Sequence, residues 1–328
     1  MKQVITVQGA INPEELSFCQ CHEHLAISKG VSFQKSPVLL IDDLKKSTQE
    51  ASRLVQAGGS LVVDAQPGGC NRIETMLYTI SRDSGLHIIA SCGFHKLCFY
   101  PKNHWIFRIK ADSLYQFFLD ELTHGMYSNI DTSENPYDHQ NFTGTTCTHT
   151  QLRAGIVKMA LDQENLSPRY RTLFIAGAKA AIQADVPVMI HIESGSDPVA
   201  LFHFLKDLGI APKRMIFCHM DRAIPDLAVH RQLLSEGIFL EYDTIGRFKY
   251  HSDLHEIEIF KTMMEAGYEK QLLFSLDTTR ARLKSYDTSA IGLDYLLKVF
   301  VPLMKEHGIT SKQIGEISHN NFIRAFTG

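Results

Sequence analysis

Two histidines stand one residue apart in Cys21-His22-Glu23-His24, closing an apolar run that begins at Leu16. In extended chain, residues two apart face the same side, so His22 and His24 project together. Paired imidazoles suit a borderline divalent metal such as zinc. Alone, the pair is a weak signal. Three later apolar runs close in the same way: PVMIHIES places His191, RMIFCHMD places His219 and LLFSLDTTR places Asp277. Any one of these reads as a hydrogen-bonded polar residue at a strand end. Four separate runs with a metal-competent side chain at the same end point to one shared site. Lys158, within RAGIVKMA, is the odd member. An amine inside an apolar strand is costly to bury, and an ammonium beside metal ions would be repelled. Reaction of the neutral amine with carbon dioxide gives a carbamate, whose two oxygens can bridge two metals. A lysine paired with a carboxylate is the plain alternative.

The elements that must bring these residues together are short β-branched runs alternating with longer amphipathic ones. Eight strands are predicted: Leu16–His22, Ser60–Ala65, His87–Gly93, Arg153–Lys158, Val186–Ile192, Arg214–His219, Ile238–Tyr242 and Gln271–Leu276. Helical patterns fill the gaps at Asp42–Ala57, Arg72–Ser84, Ala111–Gly125, Pro168–Ala184, Pro198–Leu208, Pro225–Glu236 and Leu254–Ala266, with Ile291–His307 last. Ser167-Pro168 and Asp197-Pro198 are helix-start signals. Strict alternation calls for parallel pairing, which open sheets and closed barrels both satisfy. Eight units, and no Gly-x-Gly-x-x-Gly loop after the first strand, favour an α/β fold of the (β/α)8 TIM-barrel type, as one domain over residues 1–328. In that fold the strand C-termini meet on one face, where active sites form. The polar stretch Tyr127–Leu152 is long for a loop. Preceding the fourth strand, it is expected on the N-terminal side as a structural or oligomer contact, with His139 and His149 solvated.

Composition removes several classes of function. The 328 residues are 44% hydrophobic and 21% charged, with a formal net charge of −3. That charge offers nothing to nucleic acid or an anionic membrane. No apolar run reaches the ~20 residues of a membrane span, and the N-terminus lacks the pattern of a secretory signal. Seven scattered cysteines without a Cys-x-x-Cys pair fit a reduced cytoplasmic setting. The expected partner is a small-molecule substrate, with no nucleic acid and no membrane, and with room for a homodimer.

Taken together, CHEHL, GIVKMA, PVMIHIE, FCHMD and FSLDTTR resemble, in order and spacing, the phosphotriesterase family of the amidohydrolase superfamily. The likeness spans nearly the whole chain and includes DAQPGGCNR and GFHKLCFYP. It implies a hydrolase with two divalent metal ions, zinc first, with manganese, cobalt or iron also suited to such ligands. By the same resemblance His22, His24 and Asp277 would hold the more buried metal, and His191 and His219 the more exposed one. A carboxylated Lys158 would bridge them. In that scheme the two ions lower the pKa of a shared water, and Asp277 takes its proton and passes it to the leaving oxygen. Glu23 would face away and be structural.

Lys249, in YDTIGRFKY, and Arg280, after Asp277, fall where barrels often hold phosphate, and such cations suit that anion. His95, Arg247 and Tyr100 are further contacts. Members acting on phosphorylated sugar lactones often carry a Tyr where Leu283 stands here, though Tyr286 is close by. The expected activity is a lactonase opening a phosphorylated sugar lactone. The alternatives are a phosphotriesterase or carboxylesterase-type hydrolase, and a TatD-type metal-dependent deoxyribonuclease. That last group usually carries Glu where Lys158 stands. A non-catalytic barrel is a third reading, at odds with a complete ligand set.

Overall fold

A computed structural model describes residues 2–128, 130, 131 and 148–328, so His139 lies outside the described residues. Eight parallel strands follow one another around the sheet in chain order: β1 Phe18–Glu23, β2 Gly59–Asp64, β3 His87–Gly93, β4 Ile156–Leu161, β5 Val188–Ile192, β6 Met215–Cys218, β7 Phe239–Tyr242 and β8 Leu272–Phe274. The seam between β8 and β1 is bridged where the His22 N–H donates to Ser275 Oγ at 2.7 Å and the Asp277 N–H donates to the His22 carbonyl at 3.0 Å. Helices cover the outside. The fold is a (β/α)8 barrel, nearly closed by its ladder hydrogen bonds.

Two-residue alternation builds the core. Cys19, Leu61, Ile89, Ile156, Met189 and Ile216 point inward and pack on one another. Val62, Ile88, Val157, Ile190, Phe217 and Leu240 point outward against the helices. Each fully buried aliphatic side chain contributes about 1.5–3 kcal/mol. Helix starts are set by short acidic caps: Asp43 accepts from the Lys46 N–H at 3.1 Å, and Asp197 from the Ala200 N–H at 2.9 Å ahead of Pro198.

Three expectations need correction. The fourth strand spans Ile156–Leu161 rather than Arg153–Lys158, because pairing with β5 runs from Val157 opposite Val188 to Leu161 opposite Ile192. Lys158 therefore sits inside the strand, a layer below the rim, not at its end. Gly93 makes room beside it: its φ is +105°, and a Cβ there would stand 1.9 Å from the Lys158 carbonyl oxygen. Second, the chain carries helix after residue 307. Thr310 and Gln313 form a capping box at the start of Ser311–Gly315, and Asn321–Thr327 brings Phe322 and Phe326 under the barrel floor.

Third, the segment after Tyr127 does not stay on the N-terminal side. Tyr127–Ser128 pairs with Thr148–His149. The Ile130 carbonyl then accepts from Trp105 Nε1 at 2.8 Å, and Asp131 accepts from the Asn71 N–H at 2.7 Å, in the loop following β2. The described part thus climbs the outer wall toward the C-terminal rim. His149 is exposed, with its ring 4.7 Å from that of Tyr127.

Candidate active site

The first histidine owes its direction to a bulge. Cys19 and Cys21 face the barrel interior, so plain alternation would send His22 outward. Between Gln20 and Glu23 the strand holds one residue more than the matching stretch Val62 to Asp64 of β2. The extra residue turns His22 back inward, as bulges do, and His24 follows it. Glu23 then points into the seam, accepting the Leu276 N–H at 2.9 Å and the Thr278 N–H at 3.1 Å. Its structural reading fits. His219 is redirected differently: Cys218 faces inward, and His219 adopts a left-handed backbone, φ +64°. Asp277 does the same at φ +47°. Such backbone costs on the order of 1–3 kcal/mol per residue and persists where surrounding structure enforces it.

These turns bring the residues to one place. A cleft of about 430 Å³ at the C-terminal rim is lined by His22, His24, His95, His191, His219 and Asp277, among others. Ring centroids of His22 and His219 are 4.9 Å apart, those of His191 and His219 4.4 Å. His24 Nε2 lies 3.4 Å and His22 Nε2 3.7 Å from Asp277 Oδ1. Donor atoms of His22, His24 and Asp277 all fall within 4.8 Å of one another. Lys158 lies beneath, 1% exposed, with Nζ 3.3 Å from His22 Nε2. His191 Nε2 faces Glu193 Oε2 at 3.2 Å, and Lys96 pairs with the same carboxylate.

Charge states follow from burial and neighbours. Burial pushes His22, His95 and His219 well below the ordinary histidine range, and His191 down to about 4 against the pull of Glu193. These rings are neutral at neutral pH, the state a metal ligand requires. For Asp277, burial works upward, but Arg247, His24, His22 and Arg222 outweigh it and hold the carboxyl well below the usual range.

Three members of this site carry no motif. Glu241 Oε2 lies 3.2 Å from His22 Nδ1, while its Oε1 accepts the Ser275 hydroxyl at 2.5 Å. Asp243 Oδ2 lies 2.6 Å from His219 Nδ1 and 3.6 Å from His22 Nδ1. Arg222 spans two carboxylates, 2.6 Å from Asp243 Oδ1 and 2.9 Å from Asp277 Oδ2. The signal for Glu241 is present in the sequence, as a lone charge inside the apolar run IFLEY.

Among the residues expected to touch substrate, His95, Arg247 and Lys249 line the cleft. His95 Nδ1 accepts the Lys96 N–H at 2.7 Å, so the proton of its neutral ring is on Nε2. Arg247 holds Asp277 Oδ2 at 2.9 Å. Arg280 does not line the cleft; its guanidinium stands 5.7 Å from the Tyr286 ring, and Arg282 faces inward instead. Tyr100 is buried under the rim, where its hydroxyl accepts the His95 N–H at 2.9 Å. The Tyr286 hydroxyl is taken up by Asp43 and Ser47.

A barrel of this topology with imidazoles and a carboxylate at its C-terminal mouth carries its polar site where barrel enzymes carry theirs. The chain belongs to the phosphotriesterase family, whose sequence model matches residues 2–133 and 143–326. Of the two hydrolase groups weighed from the sequence, the match falls to this one. A phospho-furanose lactonase from Mycoplasmopsis synoviae is 25% identical over 326 residues, covering 96% of this chain and 89% of that one. An N-acetyltaurine hydrolase from Danio rerio is 24% identical over 362 residues, covering 97% and 96%. A lactonase structure from Listeria monocytogenes superposes with a TM-score of 0.86 at 25% identity, covering 99% of both chains. The chain is accordingly a hydrolase of the phosphotriesterase and lactonase type. No helix among the described residues is long and apolar enough to cross a membrane.

Proposed function

We propose that this protein is a lactonase that uses two divalent metal ions to open a sugar lactone bearing a phosphate. The observation that carries the reading is the convergence of His22, His24, His191, His219 and Asp277, from four different strand ends, on one cleft above Lys158. His22, His24 and Asp277 would hold one ion, and His191 and His219 the other, with Lys158 as a carbamate between them. The donor chemistry fits: the His22, His191 and His219 rings are neutral, Asp277 is ionised, and buried His24 Nδ1 meets no hydrogen-bond partner. Among the described residues no carboxylate forms an ion pair with Lys158, which leaves its amine open to carbon dioxide. When bound, such ions supply Lewis acidity and an acidified water.

The chain's own groups supply positioning and proton transfer. Arg222 and Arg247 grip Asp277 Oδ2 and leave Oδ1 toward His24, so Oδ1 is the atom to take and return a proton. His95 Nε2–H is a donor on the opposite wall. Lys96, Arg222, Arg247, Lys249 and Arg282 line the cleft; Lys96 is paired with Glu193, Arg222 with Asp243 and Arg247 with Asp277, while Lys249 and Arg282 have no carboxylate partner among the described residues. That balance favours an anionic substrate. The relatives named for a phospho-furanose and for N-acetyltaurine both act on compounds carrying an acidic group.

The test is a screen of zinc-, manganese- and cobalt-reconstituted protein against sugar lactones with and without phosphate, N-acetyltaurine, an aryl ester and an organophosphate triester. The expected result is the highest kcat/KM for a phosphorylated lactone. Equal turnover of the unphosphorylated lactones would overturn the phosphate reading, and hydrolysis of none of these compounds would overturn the lactonase.

A further inference from the structure

Outside the central cleft, three ionisable side chains from three different segments meet in the interior. Asp221 lies in the turn after β6, His251 in the loop after β7, and Glu256 in the first turns of the helix Asp253–Glu265. Their donor atoms all lie within 4.8 Å of one another. His251 Nε2 is 3.2 Å from Glu256 Oε2. Glu256 is 0% exposed, and beyond this cluster neither of its carboxylate oxygens nor the buried His251 Nε2 has a hydrogen-bond partner among the described residues. Asp221 accepts the Thr244 N–H at 2.6 Å and the Arg222 N–H at 3.0 Å, which leaves further lone pairs toward the cluster.

Three buried polar atoms whose only partners are groups of the same cluster are an exception that calls for an explanation. Two carboxyls together in the interior repel, and a buried charge needs a counter-charge. Burial and Asp221 push the Glu256 carboxyl well above its ordinary range. The neighbouring cation offsets Asp221 only in part, because the Arg222 guanidinium turns toward Asp243 and Asp277.

We infer that Asp221, His251 and Glu256 form an outlying site for one divalent transition-metal ion such as zinc, bound through His251 Nε2 and two carboxylates. One imidazole and two carboxylates are a ligand set that zinc and manganese accept. Ligands about 2.0–2.2 Å from a tetrahedral ion stand roughly 3.5 Å apart, so the side chains need to draw in only slightly. A cleft of about 300 Å³, walled by Asp221, Leu227, Tyr250, His251 and His255, opens onto two of the three ligands and gives an access path from their side. The ion ties the loop after β7, which carries Arg247 and Lys249 to the central cleft, to the turn after β6. None of its three ligands belongs to the central set, so the site stands independently of the lactonase reading.

The experiment is zinc content by mass spectrometry, together with thermal unfolding, on full-length protein loaded with zinc and dialysed. Glu256→Gln and His251→Ala should each hold about one equivalent less than wild type and show a smaller zinc-dependent rise in Tm. A His22→Asn/His24→Asn protein, altered only in the central cleft, should keep that equivalent. His251 lies on a partly exposed loop, so its variant retains the fold if Glu256→Gln does not, with circular dichroism as the check. Equal zinc in wild type and His251→Ala overturns the site. Loss of zinc in the central variant alone bears on the central site and leaves the outlying one refuted.

Discussion

His22 Nδ1 lies 3.2 Å from Glu241 Oε2 while its Nε2 lies 3.3 Å from Lys158 Nζ, so a buried carboxylate stands directly behind a ring whose other nitrogen faces the cleft. With a cation at Nε2 the proton must sit on Nδ1, and Glu241 is its acceptor. Groups in this position orient metal-bound histidines. Glu241→Gln, nearly isosteric, should weaken zinc affinity by on the order of 10–100-fold, read by chelator competition. Unchanged affinity would show that the ring needs no such support.

Lys158 is tested by removing its amine. Lys158→Ala should lose metal and turnover together, and short carboxylic acids added to the buffer should restore part of both. Lys158→Met, which keeps the volume, should lose them without unfolding. Full metal content and normal turnover in either variant would end the bridging role.

The substrate's phosphate is tested at the rim. No carboxylate among the described residues pairs with Lys249, which rests 4.7 Å from the Tyr250 ring at the cleft wall. Loss of a charge-assisted hydrogen bond costs about 1.5–3 kcal/mol, so Lys249→Ala should raise KM for a phosphorylated lactone by roughly 10–100-fold and leave the unphosphorylated analogue nearly unchanged. Arg280→Ala, turned toward Tyr286, should have the smaller effect. Equal losses on both lactones would argue against a phosphate contact.

Stability has its own pressure point beside the second strand. Arg72 holds Glu121 with both terminal nitrogens, at 2.6 and 3.2 Å, and also donates to the Ser91 carbonyl at 2.8 Å. Both side chains are essentially unexposed. Arg72→Met leaves Glu121 buried without its counter-charge, with only the Tyr127 N–H at 3.0 Å still on its Oε1, and should cost ~3–5 kcal/mol, whereas Arg72→Met/Glu121→Leu should recover most of it. Urea unfolding of the two proteins decides this; a double variant no more stable than the single would contradict it.

His104 provides a pH signature away from the site. It is 0% exposed, its Nδ1 accepts the Ile106 N–H at 3.1 Å, and burial lowers its pKa from 6.5 to about 4. Above 6.5 the ring is neutral folded or unfolded, and stability is flat. Between 6.5 and 4 the unfolded chain binds a proton that the native chain refuses, so stability falls as pH falls; below 4 the slope ends. The whole effect is of order 3 kcal/mol. His104→Asn keeps an acceptor for Ile106 and does not titrate, so its acid limb should be flatter over that window. Identical limbs would count against the assignment.

The strand ends were the most legible part of this chain, because apolar runs closing on His191, His219 and Asp277 follow from two-residue alternation and need no tertiary knowledge. Depth was not legible. Lys158 lies below the rim because β4 takes its register from β5, a pairing that RAGIVKMA does not encode. Nor does CQCHEH reveal the bulge that turns His22 inward. Arg280 and Arg282 are equivalent as letters, and the short turn Arg280–Arg282 decides which of them sees the cleft. Glu241 and the Thr310–Gln313 cap, by contrast, were visible in the sequence and needed only to be weighed.

The recessed position of Lys158 sets a limit on replacement. Ala160, not Lys158, stands level with His191 across the β4–β5 ladder, so only a long side chain spans from this backbone to the imidazoles above. Glutamate here would stop two methylenes and a nitrogen short of the carbamate, and aspartate shorter still. If the bridging anion forms, its assembly answers to dissolved gas, and preparations made in degassed buffer should remain idle until bicarbonate is supplied.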